Sequence, residues 1–290
     1  MAAAAGTTTD SLRVGLLGVG LMGSAMAVRM VDRDFDVLAW DRNAERVRAL
    51  PGVGVADTAN AVVAGASVVI TMLPTTEVVL DVVGPLLANW PDGTIWVQMS
   101  SVGAAEADQL TETAERHGVT LVDAPVSGST RPAREGRLTI LASGPESVRP
   151  QVEPVFAALG QKVLWVGPAG MGSRLKLAAN HWMISSITAV AETMRLCEAM
   201  ELDQQEFAQL LDGGPLGSPY IVEKLGEMKR HEYPAGFPVR LALKDLGLVR
   251  EVQASSANRM PVLEAALDRF QAAAKTRGDE DAAAVYEVEA

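Results

Sequence analysis

Lys176 and Asn180 stand four residues apart in a stretch without glycine or proline, so a helix there puts both on one face. A lysine so placed suits proton transfer. Reduction of a carbonyl leaves an alkoxide that needs a proton, and a partly desolvated ammonium can give it and take it back. Lys244 is a candidate second cation that would lower the lysine's pKa further. Asn180 suits holding a substrate oxygen or orienting the lysine. His181 lies about 100° further round the helix and points elsewhere. The competing reading is a surface lysine that snorkels between Leu175 and Leu177. Spacing alone leaves both open.

A second group suits phosphate. Residues 13–17 read as a strand and run into Gly18-Val19-Gly20-Leu21-Met22-Gly23, which opens an apolar-patterned helix. Gly18 allows the tight turn, Gly20 the approach of a pyrophosphate, and Gly23 close packing of helix on strand. The helix N-terminus offers N–H groups and a positive dipole. This is the context of a dinucleotide site, with a packing turn as the alternative. Asp41 closes the second strand and suits the ribose hydroxyls of NAD, whereas Arg42 suits the 2′-phosphate of NADP. The two argue in opposite directions, and the choice between NADH and NADPH stays open.

A third run, from Asp123 to Gly144, begins DAPVSG. Pro125 and Gly128 shape a loop after a strand, at the sheet edge where ligands bind. The Ser127 hydroxyl and the N–H groups of Gly128 and Ser129 suit the carboxylate of a small acid. A plain Pro/Gly/Ser turn is the alternative.

Elements must position these groups. Candidate strands at 13–17, 36–40, 67–71, 94–98, 120–122, 138–141 and 163–166 alternate with helical patterns such as 104–117. That alternation predicts βαβ units and a parallel sheet covered on both faces. Beyond Gly172 the pattern changes. Most of 173–212 predicts one long helix, roughly 40 Å or more. Further helices are expected at 204–211, 220–228, 239–253 and 262–275. The expected organisation is a flexible tail over 1–11, a Rossmann-type α/β domain over 12–170, and an all-α domain over 171–290 that begins with the interdomain helix. Trp182 and Met183 are read as core or pocket wall.

Composition bounds the rest. At 290 residues, with 48% hydrophobic and 21% charged residues, the chain is globular rather than disordered. Its apolar runs are far shorter than the ~20 residues of a membrane span. A net charge of −11 argues against a nucleic-acid partner. Cys197 is the single cysteine, so no internal disulfide forms, and three histidines leave little for structural zinc. No metal is expected. The N-terminus lacks the basic segment of a signal peptide, and a cytoplasmic location is the expectation.

These motifs, in this order, resemble the β-hydroxyacid dehydrogenase family, which includes 3-hydroxyisobutyrate dehydrogenase. The resemblance rests on Gly18–Gly23, Asp123–Gly128, Gly170 with Gly172, Lys176 and Asn180, and Lys244–Leu248, and covers nearly the whole chain after the tail. Residues 127–144 and 237–245 look closest to the glyoxylate and succinic semialdehyde reductase branch. The resemblance implies that Lys176 is the general acid/base, that Ser127 and Gly128 grip a carboxylate, and that Asn180 assists. It implies further that Leu73, Pro74, Ser101 and Lys244 line the NAD(P)H cofactor, and that Phe237 and Asp245 line the substrate pocket. A homodimer or homotetramer through the helical domain is implied as well. Three positions depart from the pattern. Asp41-Arg42-Asn43 replaces a phosphate-reading Asn-Arg-Thr, His181 replaces a second asparagine, and Gln98 stands where an aspartate is common. The expected activity is interconversion of a small aldehyde or keto acid and its hydroxy acid. An imine reductase on the same architecture, whose members generally replace the lysine, and a non-catalytic nucleotide-binding sensor or scaffold are the competing readings.

Overall fold

A computed structural model describes residues 12–288, so the tail expected over 1–11 lies outside the described residues. The chain forms two compact units that divide between Ser173 and Arg174.

The first unit alternates strand and helix: β1 (Arg13–Leu17), α1 (Leu21–Val31), β2 (Asp36–Trp40), α2 (Ala44–Arg48), β3 (Gly54–Val55), α3 (Ala59–Ala64), β4 (Val68–Thr71), α4 (Thr76–Leu87), β5 (Ile95–Gln98), α5 (Ala104–Arg116) and β6 (Thr120–Asp123). All six strands are parallel, in the order β3-β2-β1-β4-β5-β6. The short β3 was not visible as a strand pattern. Strand side chains alternate between two cores. Leu16, Ile70 and Val97 join Met26 and Phe156 on one face, and Leu17, Val69 and Trp96 join Val62 and Leu110 on the other. Covering on both faces is why VVIT in β4 is buried throughout. The strand order reverses between β1 and β4, and ligands of such sheets bind at the carboxyl ends beside that reversal.

The strands expected at 138–141 and 163–166 form, but not in this sheet. β7 (Val126–Ser127), β8 (Leu138–Ala142) and β9 (Gly160–Trp165) make a separate three-stranded sheet, with α6 (Thr130–Glu135) and α7 (Arg149–Leu159) between them. β7 pairs antiparallel with β8, and β8 parallel with β9. The physical reason lies at Ala124-Pro125. β6 passes into β7 without a helix, and a further parallel strand needs a crossover of a dozen or more residues.

The second unit is helical. α8 (Met171–Ala199) begins at the close of the first unit, and α9 (Gln204–Leu211), α10 (Pro219–Arg230), α11 (Val239–Ala254), α12 (Pro261–Arg277) and a 3₁₀ helix (Ala282–Glu287) follow. α8 ends without glycine or proline. Glu201 adopts a left-handed conformation (φ 58°), and Asp203 then caps α9 by accepting from the Gln205 N–H at 2.8 Å. Trp182 is not a core residue: it is 61% exposed. No helix among the described residues is long and apolar enough to cross a membrane.

Candidate functional site

Gly18 takes φ 102°, and a Cβ there would come within 2.4 Å of the Met72 carbonyl oxygen. The glycine thus lets the ends of β1 and β4 close together at the strand reversal. At Gly23 a Cβ would lie 2.1 Å from the Gly18 carbonyl oxygen, so α1 approaches the loop more closely than any other residue allows. Gly20 differs, because a Cβ built there meets nothing within 4 Å. It is also the N-cap of α1, supplies no capping side chain, and is followed by no acidic residue in the first turn. Open space before helix N–H groups that the N-cap residue leaves without a side-chain cap is what a pyrophosphate needs. The residues present therefore fit a dinucleotide. Val19, Leu21 and Met22 belong to the same turn, and the Val19 N–H donates to Asp41 Oδ2 at 2.9 Å.

Asp41 is thus tied to the glycine loop itself. Its other oxygen accepts from the Asn43 N–H at 2.9 Å, and Asn43 in turn caps α2 through the Glu45 N–H at 3.2 Å. Arg42 is exposed.

On the other side of the strand reversal, a buried relay joins β4 to β5. Trp96 Nε1 donates to Thr71 Oγ1 (3.0 Å), and Thr71 Oγ1 donates to Gln98 Oε1 (3.3 Å). Gln98 accepts the Ser100 N–H (2.8 Å) and donates to the Ser100 carbonyl (2.9 Å), while Ser100 Oγ accepts the Leu73 N–H (2.9 Å). The relay sets the backbone that carries Leu73, Pro74 and Ser101. Gln98, a departure from the family pattern, is its centre. The relay is hidden from any local pattern, because Thr71, the partner on the neighbouring strand, stands 27 residues earlier.

Ser127 is half-buried on β7 and Gly128 takes φ 131°. Asp123, the first residue of the DAPVSG run, is a buried cap for the start of α8. It accepts from the Ser173 N–H (2.8 Å) and the Ser173 hydroxyl (2.7 Å), while Ser143 Oγ accepts the Gly172 N–H (2.9 Å). The spacing of 50 residues hides this pair from any local pattern.

In the second unit, Lys176, Asn180, Lys244 and Asp245 come together. Asn180 Nδ2 donates to Asp245 Oδ2 at 2.6 Å, so the amide is held by an acid of α11 and not by the lysine one turn away. Lys244 Nζ lies 3.4 Å from Asp245 Oδ1. Lys176 is half-buried. Desolvation holds its ammonium below the ordinary lysine range; the Asp245 charge opposes this, and Lys244 adds to it. Burial raises the Asp245 carboxyl above its ordinary value, against the pull of Lys244, of Lys176 and of the Asn180 amide. Phe237 sits two residues before α11, and His181 faces Ser185 at 3.4 Å. Among the described residues no group of three or more His, Cys, Asp or Glu side chains could hold a metal ion.

A glycine loop that fits a pyrophosphate at the reversal of a parallel sheet, followed by helices that bring a lysine of lowered pKa to a buried acid, suits one class: an NAD(P)-dependent oxidoreductase. Comparison with known proteins narrows it. Residues 13–167 match the NAD-binding domain of 6-phosphogluconate dehydrogenase, and residues 170–288 match the NAD-binding domain of NADP-dependent 3-hydroxyisobutyrate dehydrogenase. The chain is 32% identical to glyoxylate/succinic semialdehyde reductase 1 of Arabidopsis thaliana, over 95% of this chain and 98% of that one. It is 30% identical to 2-(hydroxymethyl)glutarate dehydrogenase of Eubacterium barkeri, over 96% and 95%. Among solved structures, the 3-hydroxyisobutyrate dehydrogenase of Mycobacterium tuberculosis with L-serine superposes with a TM-score of 0.88 at 28% identity, covering 96% of this chain and 98% of that one. The chain belongs to the β-hydroxyacid dehydrogenase family, as the motifs implied.

Proposed function

We propose that this enzyme interconverts a small carboxylate-bearing aldehyde or keto acid and its hydroxy acid, with Lys176 as the acid/base. The observation that carries this reading is the constellation around Lys176: a lysine pushed below its ordinary range by desolvation and by Lys244, beside an acid that Asn180 holds. The nicotinamide, when bound, supplies or takes the hydride. The protein's part is the proton. In reduction the Lys176 ammonium donates to the carbonyl oxygen as it becomes a hydroxyl; in oxidation the neutral amine takes the hydroxyl proton back. Ser127 and Gly128 are assigned to the substrate carboxylate, and Asn180, Asp245 and Phe237 to the surroundings of the reacting carbon. Gly18 to Gly23, Asp41, Asn43, Leu73, Pro74, Ser101 and Lys244 are assigned to the dinucleotide, with Arg42 as the residue that would read a 2′-phosphate.

Relatives named for glyoxylate, succinic semialdehyde and 2-(hydroxymethyl)glutarate support an acid as substrate. A homo-oligomer through the helical unit is part of the same reading. Trp182, Leu196, Met200 and Leu202 leave large apolar surface exposed along and just beyond α8, and a second copy would cover it. The test is an initial-rate screen with NADH and NADPH against glyoxylate and succinic semialdehyde, with oxidation of 3-hydroxyisobutyrate alongside. Turnover of an acid is expected. Silence on all three, with a nicotinamide still bound, would overturn the substrate class.

A further inference from the structure

A heavily bonded carboxylate of the helical unit lies outside the constellation around Lys176. Asp281 is fully buried. Its Oδ2 accepts from the Gly236 N–H (3.1 Å) and the Phe237 N–H (2.9 Å). Its Oδ1 accepts from the Ala283 N–H (3.1 Å) and from Lys224 Nζ (2.9 Å). Lys224 is buried as well, and Glu227 completes the cluster at 2.9 Å from the same ammonium. Four donors on one carboxylate far exceed what a surface turn requires.

The surrounding backbone continues the same seam. The Ala282 N–H donates to the Phe237 carbonyl at 2.8 Å, the Val239 N–H to the Glu280 carbonyl at 2.9 Å, and the Asp281 N–H to the Tyr233 carbonyl at 3.2 Å. Phe237 is therefore held at both of its backbone polar groups, by the Asp281 side chain at N–H and by Ala282 at C=O, while its ring is only half-buried. A backbone fixed at both ends leaves the ring little freedom beyond its own rotamers. α11 starts two residues later and carries Lys244 and Asp245 in its second turn, so the same seam sets where that helix begins.

We infer that Asp281 is a positioning residue: with Lys224 it clamps 233–239 and so aims Phe237 at the acid that the enzyme takes. This rests on the reading above that Phe237 lines the substrate pocket. The carboxylate cannot be replaced by its amide without loss. Asp281→Asn must turn its NH₂ either toward the N–H groups of Gly236 and Phe237 or toward Ala283 and the Lys224 ammonium, and each choice sets donor against donor.

The test compares wild type, Asp281→Asn, and Phe270→Leu, which loosens a fully buried core position of α12 that makes none of the clamp's hydrogen bonds. Hydrogen exchange over 233–239 reads the clamp, and KM and kcat on whichever acid the wild type accepts read its use. In the wild type the Gly236 and Phe237 amides should exchange as slowly as core amides of α12, although they lie in a loop. That measurement needs no variant and stands even when Asp281→Asn does not fold. In Asp281→Asn exchange over 233–239 should rise, and KM for the acid by about ten-fold with kcat changed far less. Phe270→Leu should keep the wild-type KM at a similar loss of Tm. Fast exchange of both amides in the wild type overturns the clamp. Faster exchange in Asp281→Asn with an unchanged KM, or the same KM rise in Phe270→Leu, overturns its role in positioning. A wild type inactive on every acid overturns the proposed function instead, and the exchange measurements then still decide the clamp.

Discussion

The cradle of the first unit and the lysine site of the second are made of different material. Around Gly18–Gly23 the parts assigned to a dinucleotide are backbone N–H groups and absent side chains. Around Lys176 they are charges: two lysines and one acid, with an amide as the link. Backbone does not titrate, and its failure mode is steric. Buried charge does titrate, and a single substitution retunes it without moving the chain. The two regions should therefore respond to mutation in different observables, the first in cofactor affinity and the second in rate and pH dependence.

The largest effect is expected in the charged region. Lys176→Ala should lower kcat by ~10²–10⁴-fold while nicotinamide binding, followed by fluorescence, stays close to wild type. Unchanged turnover would remove the lysine from the mechanism. In the backbone region, Gly23→Ala forces a Cβ to within 2.1 Å of the Gly18 carbonyl oxygen. It should weaken nicotinamide binding by about 10–100-fold and leave the pH profile in place, which isothermal titration and rate assays check together.

In the proposed reaction the acid form of Lys176 serves reduction, so the reduction rate should hold at low pH and fall as pH rises through the lowered lysine pKa. Oxidation should show the mirror image. The Asp245 charge raises the Lys176 pKa, so Asp245→Asn should move both limbs toward lower pH. A shift in the opposite direction would mean that another group controls the profile.

The smallest effect separates the site from the clamp beside it. Burial pushes the Glu227 carboxyl up to about 7, from an ordinary 4.5. The folded protein then binds more protons than the unfolded chain between these values. The stability from this group is present below the lower value and lost as pH rises through the upper one. Glu227→Gln should flatten the fall in Tm between pH 5 and 8, by about 2 °C. An identical slope in both proteins would count against this assignment.

Much of the first unit was legible because its signals are local. Period-2 and wholly apolar runs located β1 and β2 to the residue, and the glycine spacing marked the turn between β1 and α1. The family and the fold class followed from the same motifs. What was not legible depends on partners far away in sequence. β7 has two residues and takes its pairing from β8, so no periodicity announces it. Asn180 could be placed beside Lys176 by helical spacing, but its actual partner Asp245 stands 65 residues on. Asp281 sits in a run of small residues that gives no hint of four donors. Trp182 read as interior by residue type, and only the packing of α8 leaves it outside.

Gln98 carries one more consequence. Its amide accepts from the Ser100 N–H and donates to the Ser100 carbonyl at once, a pairing that an ionised carboxylate cannot complete because it has no hydrogen to give. An amide also keeps the same charge at every pH. The edge that carries Leu73 and Ser101 thus has a fastening indifferent to acid and base, and it holds one geometry across the whole range in which Lys176 gains and loses its proton.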